Sequence, residues 1–246
     1  MSPLRQDDWR LTIHEVLPST SDHCRALAAA GEAEGACALA LRQTAGRGSR
    51  GRDWQSGEGN LHLSVLLRPG GAARHAGQWS LLAAVALADA LMPLLPEPGL
   101  LTLKWPNDVR LGGRKLAGVL LDSAADAGGA LAWLVIGFGV NLAAAPRLPG
   151  VEVAALAEVV HPPAPEALAP LLLGALGIWR QRFAAEGFGA VREAWLARGP
   201  APGSPVTLRV AGRVLSGTFA GLAADGGLRM ATEGRVQTFA TGEVLG

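Results

Sequence analysis

The chain has 246 residues, 49% of them hydrophobic, and its 22 lysines and arginines against 21 aspartates and glutamates leave a formal net charge of +1. That length suffices for one large domain, or a large and a small one, with a full core. Near-neutrality argues against a protein that lives on nucleic acid, because such domains are usually strongly basic.

In chain order, the N-terminus with Arg5, Asp7, Asp8 and Arg10 holds no apolar signal-peptide core. Residues 9–17 alternate well enough for a first strand, which Pro18 ends. Ser19-Thr20-Ser21-Asp22 then offers several N-cap oxygens ahead of a helix through Arg25, Leu27 and Ala30, stopped by Gly31. Capping uses one or two of these side chains and does not need all four. Residues 36–43 predict a short buried strand, and residues 60–67 a strand of period two. Cys24 and Cys37 form no CxxC pair and no metal-type cluster, and read as reduced, core-filling thiols of a cytosolic protein. A helix over residues 78–95 contains Asp89 and Pro93, so it falls short of ~20 clean apolar residues and reads as buried within the protein, not as a membrane span.

Residues 101–109 read as a strand, with Pro106 demoting it to an edge or a bulge. Gly112-Gly113 is a tight turn, and residues 114–122 are the return strand, with Lys115 at its entry. Residues 131–142 form another apolar strand, interrupted by Gly137, Gly139 and Asn141; such glycines weaken a central strand and are easiest to explain if a ligand or another backbone lies against that face. Residues 161–165 are a proline-rich surface connector, and residues 168–183 and 188–197 read as two helices. Residues 199–203 are the best domain boundary. The short runs beyond it (206–210, 213–219, 226–231, 236–240) suggest a small β-barrel or sandwich.

Between the second and third strands lies Gly46-Arg47-Gly48-Ser49-Arg50-Gly51-Arg52-Asp53-Trp54, in which glycines and arginines alternate. Glycine lets backbone N–H groups approach a ligand closely, and arginine brings a permanent charge on a planar fork suited to carboxylate or phosphate. The run describes a cationic, anion-wrapping loop, and its glycine content predicts disorder without ligand. With residues 104–108, Lys115 and residues 137–141 it offers cations, a carboxylate beside an amide, and glycine-lined strands. A nucleoside triphosphate needs cations around its phosphates and one or two oxygen ligands for Mg²⁺; Asp108 and Asn141 are the natural oxygen candidates, although Asp108 is also a good turn residue. No Walker A lysine pattern, dinucleotide-type GxGxxG, GxSxG elbow or zinc spacing occurs, and the five scattered histidines read as surface or capping residues. Without a resident nucleophile or base, electrostatics and positioning would carry the catalysis, which suits activation of a carboxylate by ATP.

Taken in order, Ser19-Thr20, Gln43-Thr44-Ala45-Gly46-Arg47-Gly48 with Arg50-Gly51-Arg52 and Trp54, Lys104-Trp105-Pro106-Asn107-Asp108, Arg114-Lys115-Leu116-Ala117-Gly118 and Gly137-Phe138-Gly139-Val140-Asn141 resemble the biotin protein ligases, in the family's order and spacing. The resemblance covers roughly residues 10–200. It implies an α+β fold: a mixed sheet flanked by helices, of the class II aminoacyl-tRNA synthetase/biotin synthetase-like kind, over residues 1–199. A small SH3-like β-barrel would follow over residues 200–246. The implied reaction takes biotin and ATP to biotinyl-5′-AMP and pyrophosphate, then passes biotin to a lysine of biotin carboxyl carrier protein, in the cytoplasm.

By the same resemblance Ser19, Thr20 and Gln43 would bond the ureido ring, and Gly46 and Arg47 would contact biotin. Arg50, Arg52 and Trp54 would close over the adenylate, with Arg47 and Arg50 sharing the catalysis led by Lys115, which would sit on the carboxylate and α-phosphate. Gly118 and Gly137 would admit the ligand to the backbone. Asn107, Asp108 and Asn141 would lie near the nucleotide, the last two toward Mg²⁺. Two positions depart from the pattern: Ser49 stands where arginine is usual, which predicts looser retention of the adenylate, and Ser21 stands where asparagine is frequent, a change tolerable as helix capping. The catalytic pattern begins within about ten residues of Met1, leaving no room for a DNA-binding domain, so a ligase without repressor activity is expected. An exposed sheet edge would pair two copies of the chain or dock the carrier. The rival readings are a lipoate ligase or octanoyltransferase of the same fold, and an RNA-binding module, which the near-neutral charge and the lack of interleaved aromatics disfavour.

Overall fold

A computed structural model describes residues 8–55 and 57–245. The chain opens with strand β1 (Arg10–Leu17), helix α1 (Thr20–Ala29) and strand β2 (Ala36–Gln43). β3 (Leu61–Leu67), α2 (Ala76–Leu91), β4 (Leu101–Lys104), β5 (Asp108–Leu111), β6 (Arg114–Ala125) and β7 (Leu131–Val140) complete a seven-stranded sheet in the order β1-β2-β3-β7-β6-β5-β4. Only β1 and β2 run parallel; every other neighbouring pair is antiparallel. Helices α3 (Pro165–Glu186) and α4 (Phe188–Leu196) then pack with α2.

Period-two alternation assigns the two faces of this sheet. Leu61, Leu63, Val65 and Leu67 of β3, with Leu134, Ile136, Phe138 and Val140 of β7, join the main core with residues of α2, α3 and α4. Leu66 and Val135 point the other way, into a smaller cluster with Cys24 and Ala28 of α1. Both cysteines are free and buried, and burial pushes both thiols up, in keeping with core filling. The stretch 73–94 reaches the length and hydropathy of a membrane span, which the sequence reading denied it, but 72% of that window is buried inside the fold.

The single strand expected over residues 101–109 is a hairpin instead. β4 and β5 pair antiparallel around Trp105, Pro106 and Asn107, and the Trp105–Pro106 peptide is cis. Proline cannot supply a ladder N–H, so the chain reverses there.

The C-terminal unit is a five-stranded antiparallel sheet of β8 (Pro205–Val210), β9 (Arg213–Leu222), β10 (Leu228–Thr232), β11 (Arg235–Phe239) and β12 (Glu243–Leu245). Its pairings run in the line β11-β10-β9-β8-β12, and among the described residues none joins the two end strands. It continues the core of the first unit: Val206, Leu208, Phe219 and Met230 belong to the same apolar cluster as α2. The Trp105 indole N–H donates to the Gly226 carbonyl at 3.0 Å, tying the β4–β5 turn to the C-terminal sheet.

Candidate functional site

The sheet face turned away from α2 carries a trough with almost no side chains. Register places Gly118 of β6 opposite Gly139 of β7, and Leu120 opposite Gly137; on the other flank of β7, Gly137 faces Ser64 and Gly139 faces His62. A Cβ on Gly137 would come within 2.5 Å of Ser21 Oγ and 3.3 Å of Ser64 Oγ. A Cβ on Gly139 would overlap the Trp54 indole, and one on Gly118 would lie 3.3 Å from Lys115 Nζ and 3.4 Å from Trp54. Moving along β7, the floor passes from hydroxyls to a tryptophan and a lysine.

At the hydroxyl end, Gln43 Oε1 accepts from the Thr20 backbone N–H at 2.8 Å and from Thr20 Oγ1 at 3.2 Å. Thr20 Oγ1 shares a hydrogen bond of 2.8 Å with Ser64 Oγ, which reaches Ser21 Oγ at 3.1 Å. Thr20, Ser21 and Ser64 are all buried. The chain of neutral donors and acceptors therefore meets a ligand in a dry setting, where an unmatched polar group is heavily penalised.

At the other end, Lys115 Nζ sits 2.6 Å from Asp108 Oδ1 and 5.9 Å from the centroid of the Trp54 ring. Burial lowers the Lys104 ammonium's hold on its proton, opposed by Asp108 and helped by the charges of Arg110 and Lys115. Arg47 bridges Asp22 and Asp122, its Nη1 lying 2.9 Å from a carboxylate oxygen of each. Burial works against that guanidinium's proton, but the hydrogen bond and charge of Asp122, with those of Asp22, outweigh it, and the net shift is upward. An antiparallel backbone β-bridge between Arg47 and Asp53 closes the neck of the loop, and the Trp54 backbone N–H donates to the Gly46 carbonyl at 2.9 Å.

These groups surround a cleft of about 550 Å³. Of the residues anticipated from sequence, Thr20, Gln43, Arg47, Arg52, Trp54, Asn107, Lys115, Gly118, Gly137 and Asn141 line it. Ser19, Gly46, Arg50 and Asp108 are not among its lining. Ser19 caps α1, accepting from Asp22 N–H at 3.3 Å. Gly46 anchors Trp54 through its carbonyl, Arg50 turns toward Gly242 and Glu243, and Asp108 holds Lys115 from behind. Asn107 Nδ2 donates to the Val119 carbonyl at 2.6 Å, and the Asn107 backbone carbonyl accepts from Val119 N–H at 2.9 Å. Asn141 is 1% exposed; its Nδ2 donates to the Ala154 carbonyl, while its Oδ1 has no partner among the described residues.

Sequence reasoning missed Ser21 as a lining residue and Ser64 as the centre of the hydroxyl chain. The available signal was a serine, with His62, on the non-core face of a strand whose other residues are apolar. It also misplaced His62, which is buried on β3, not on the surface; burial pushes its imidazole down to about 4, with the Gly57 backbone opposing. The far rim is formed by residues 146–153, where Lys115 N–H donates to the Glu152 carbonyl and Ala154 N–H to the Lys115 carbonyl, each at 2.9 Å. Among the described residues no group of three or more His, Cys, Asp or Glu side chains is placed to hold a metal.

A glycine-floored cleft with buried hydroxyls at one end and cations at the other, on a mixed sheet with an appended antiparallel sheet, marks a protein that takes a small ligand with a neutral polar head and an anionic tail. The sequence profile of the biotin/lipoate A/B protein ligase family matches residues 14–141, and that of the biotin protein ligase C-terminal domain matches residues 203–245. The chain belongs to the biotin/lipoate A/B protein ligase family. It is 41% identical over 196 residues to a biotin–[acetyl-CoA-carboxylase] ligase of Paracoccus denitrificans, spanning 77% of this chain and 81% of that one. It is 37% identical over 134 residues to a bifunctional ligase/repressor of Bacillus subtilis, spanning 54% of this chain and 40% of that protein's length. The biotin protein ligase from Aquifex aeolicus in complex with biotin and ATP superposes with a TM-score of 0.81 at 25% identity, covering 96% of this chain and 97% of that one.

Proposed function

We propose that the chain is a biotin–[acetyl-CoA-carboxylase] ligase acting in the cytoplasm, with its catalytic unit in residues 1–199 and a second unit in residues 200–246. The observation that carries this reading is the glycine floor running from the Thr20–Ser64–Ser21 hydroxyls to Lys115. A bicyclic urea with a carboxylate-bearing tail matches that sequence of chemistry. The carboxylate oxygen attacks the α-phosphorus of ATP, forming biotinyl-5′-AMP and expelling pyrophosphate. The amine of a carrier lysine then attacks the anhydride carbonyl, forms the amide, gives up its proton and expels AMP.

Thr20, Gln43 and Ser21 hydrogen-bond the ureido ring, with Ser64 fixing their hydroxyls; Ser19 contributes by setting the first turn of α1. The Gly46 backbone and Arg47 close over biotin, and Gly118 and Gly137 admit it to the floor. Like charges oppose the first step, and Lys115 offsets that repulsion as charge develops on the phosphate. Asp108 aims Lys115 through an ion pair of 2.6 Å. Arg50 and Arg52 supply further positive charge, Trp54 covers the floor, and Asn107 and Asn141 face the nucleotide. Mg²⁺ is held largely by substrate phosphates and few protein oxygens. Asn141 Oδ1, buried without a partner among the described residues, and the second oxygen of Asp108 suit that small share, and the ion would supply charge neutralisation at the phosphates.

Biotin-dependent ATP–pyrophosphate exchange tests the reading. Wild type should exchange with biotin and not with lipoate or octanoate, and Lys115→Ala should lower the rate by about 100-fold or more, the scale of one transition-state charge partner. Exchange with lipoate or octanoate instead would keep the fold and change the substrate. Silence with all three acids would refute a ligase.

A further inference from the structure

Helix α1 is 10 residues long, yet its first turn carries the buried hydroxyls Thr20 and Ser21. Helices shorter than about 12–15 residues are marginal by themselves, so the place of α1 depends on what grips its two ends. Both grips come from β3. At the N-terminal end, Ser64 Oγ meets Thr20 Oγ1 at 2.8 Å and Ser21 Oγ at 3.1 Å. At the C-terminal end, Arg68, the residue that follows β3, spreads its guanidinium over three carbonyls. Its Nη2 donates to Ala28 at 3.0 Å, its Nε to Glu32 at 3.0 Å and its Nη1 to Ala132 at 3.2 Å. Ala28 lies in the last turn of α1, which holds no basic residue of its own. A helix C-terminus presents carbonyls short of partners and partial negative charge, and Arg68 answers both.

The two grips match in length. From Ser64 to Arg68 the strand rises about 13 Å, and from Thr20 to Ala28 the helix rises about 12 Å. Ala132 belongs to β7, the strand that supplies Gly137 and Gly139 to the floor. A planar fork donating in three directions therefore fixes α1 both along its axis and across the floor strands, which the single ammonium of a lysine cannot do. The segment after α1 is pinned as well. Arg10 of β1 donates to the Ala33 carbonyl at 3.0 Å and the Glu34 carbonyl at 3.1 Å. Glu34 Oε2 accepts from the Arg68 backbone N–H and from buried Arg180 of α3, each at 3.1 Å. Arg68 itself is not among the residues lining the cleft.

We propose that Arg68 is a positioning residue for the neutral polar head of the ligand: by holding the C-terminal end of α1 against β3 and β7, it sets where Thr20 and Ser21 stand over the Gly137 floor. This rests on the reading of the cleft as a biotin site. The margin there is small, because a Cβ on Gly137 would already come within 2.5 Å of Ser21 Oγ. A helix that slides along its axis carries both hydroxyls with it, and a displacement of about 1 Å is enough to spoil a bound geometry.

The test compares wild type, Arg68→Met, Arg68→Lys, Thr20→Val and the double variant Arg68→Met/Thr20→Val in the full-length protein. One readout is hydrogen–deuterium exchange of the α1 first-turn amides without ligand, which needs no assumption about the reaction. The others are calorimetric biotin binding and the KM for ATP in pyrophosphate exchange. Arg68→Met should speed first-turn exchange about tenfold and weaken biotin binding about fivefold, with the KM for ATP unmoved. Arg68→Lys restores charge at the helix end but not the three-way fork, so it should recover the melting temperature and at most about half of the lost affinity. Thr20→Val should cost about tenfold, and the double variant about tenfold as well, because the hydroxyl that Arg68 positions is already gone. A double variant weakened by the product of the two losses, about fiftyfold, would show that Arg68 acts elsewhere and overturn the proposal. Unchanged first-turn exchange in Arg68→Met would overturn it whatever the enzyme does. A lower melting temperature with unchanged biotin binding, or equal rises for biotin and ATP, would assign Arg68 to stability and overturn it too. Should Arg68→Met not fold, Arg68→Lys takes its place in the same cycle with Thr20→Val. If wild type binds no biotin, the ligase reading falls and takes the ligand role with it, while the exchange result still reports whether Arg68 holds the first turn.

Discussion

The floor of the cleft and the loop over it are built by opposite means. The floor comes from strands and the first turn of α1. At its hydroxyl end the polar atoms are neutral, buried and hydrogen-bonded to one another, and its glycines are fixed by sheet register. The loop is charged and largely exposed, and it is held by ion pairs to Asp22, Asp122 and Glu243 at three separate places in the chain. Neutral hydrogen bonds in a dry site discriminate a ligand by shape and by unmatched partners. Exposed ion pairs discriminate little, but they bring charge that can be rearranged. The division assigns recognition of the small acid to the floor and handling of the phosphates to the loop.

If that division holds, acid should damage the floor before it damages the loop, and the effect is the largest expected. His62, on β3 beside Ser64's strand neighbours, has an ordinary value of 6.5 that burial lowers to about 4. Between those values the unfolded chain binds the proton that the folded chain refuses, so stability rises with pH across that window. It is fully present above about 6.5 and is lost as pH falls toward 4, by about 3 kcal/mol for this group. Chemical denaturation of wild type and His62→Leu at pH 7 and pH 4.5 checks this: the wild type should lose more stability on acidification than the variant. Parallel losses would show that β3 does not carry the acid sensitivity.

A smaller effect sharpens the comparison from the side of the ligand. Thr20→Val keeps the shape of the side chain but removes the hydroxyl that links Gln43 to Ser64. The KM for biotin should rise about tenfold, the scale of one buried hydrogen bond left unmade, and the KM for ATP should not move. An equal rise in both would mean that floor and loop are one unit and not two.

The parts that could be read from sequence are those whose signal is local. The strand over residues 36–43 matches β2 to the residue, and the arginine loop with Trp54, Lys115 and Gly137 group at one site because glycines in a central strand and alternating glycine and arginine need a reason wherever they occur, whereas Gly118 enters only through the family resemblance. The β4–β5 hairpin was not seen, because Leu101, Leu103, Val109 and Leu111 all face the same core, and the apolar period continues across the turn at Pro106. Ser64 was not seen because its role depends on register: its partners Thr20 and Ser21 lie more than 40 residues earlier, brought across the sheet by α1. Glu243 is the extreme case, about 190 residues from the arginines it holds, with nothing local to distinguish it from any other strand-end carboxylate.

Ser49 provides the finest test, because it lies where the two regions meet. Its hydroxyl accepts from Arg52 at 3.3 Å and its carbonyl takes the Arg52 N–H, so in this chain the position braces a neighbouring cation and carries no charge of its own. Adding a charge there would place a third loop guanidinium near a carboxylate already shared among Arg50, Arg52 and Arg209, with only the bound phosphate left to satisfy it. Ser49→Arg should therefore slow the escape of labelled biotinyl-AMP by about threefold, a surface-scale charge effect that shrinks as salt is raised, with the biotin KM unchanged. An unchanged escape rate would mean that retention of the adenylate is set by the floor, through Lys115 and the glycine-lined strands, and that the loop's charge acts only while pyrophosphate is leaving.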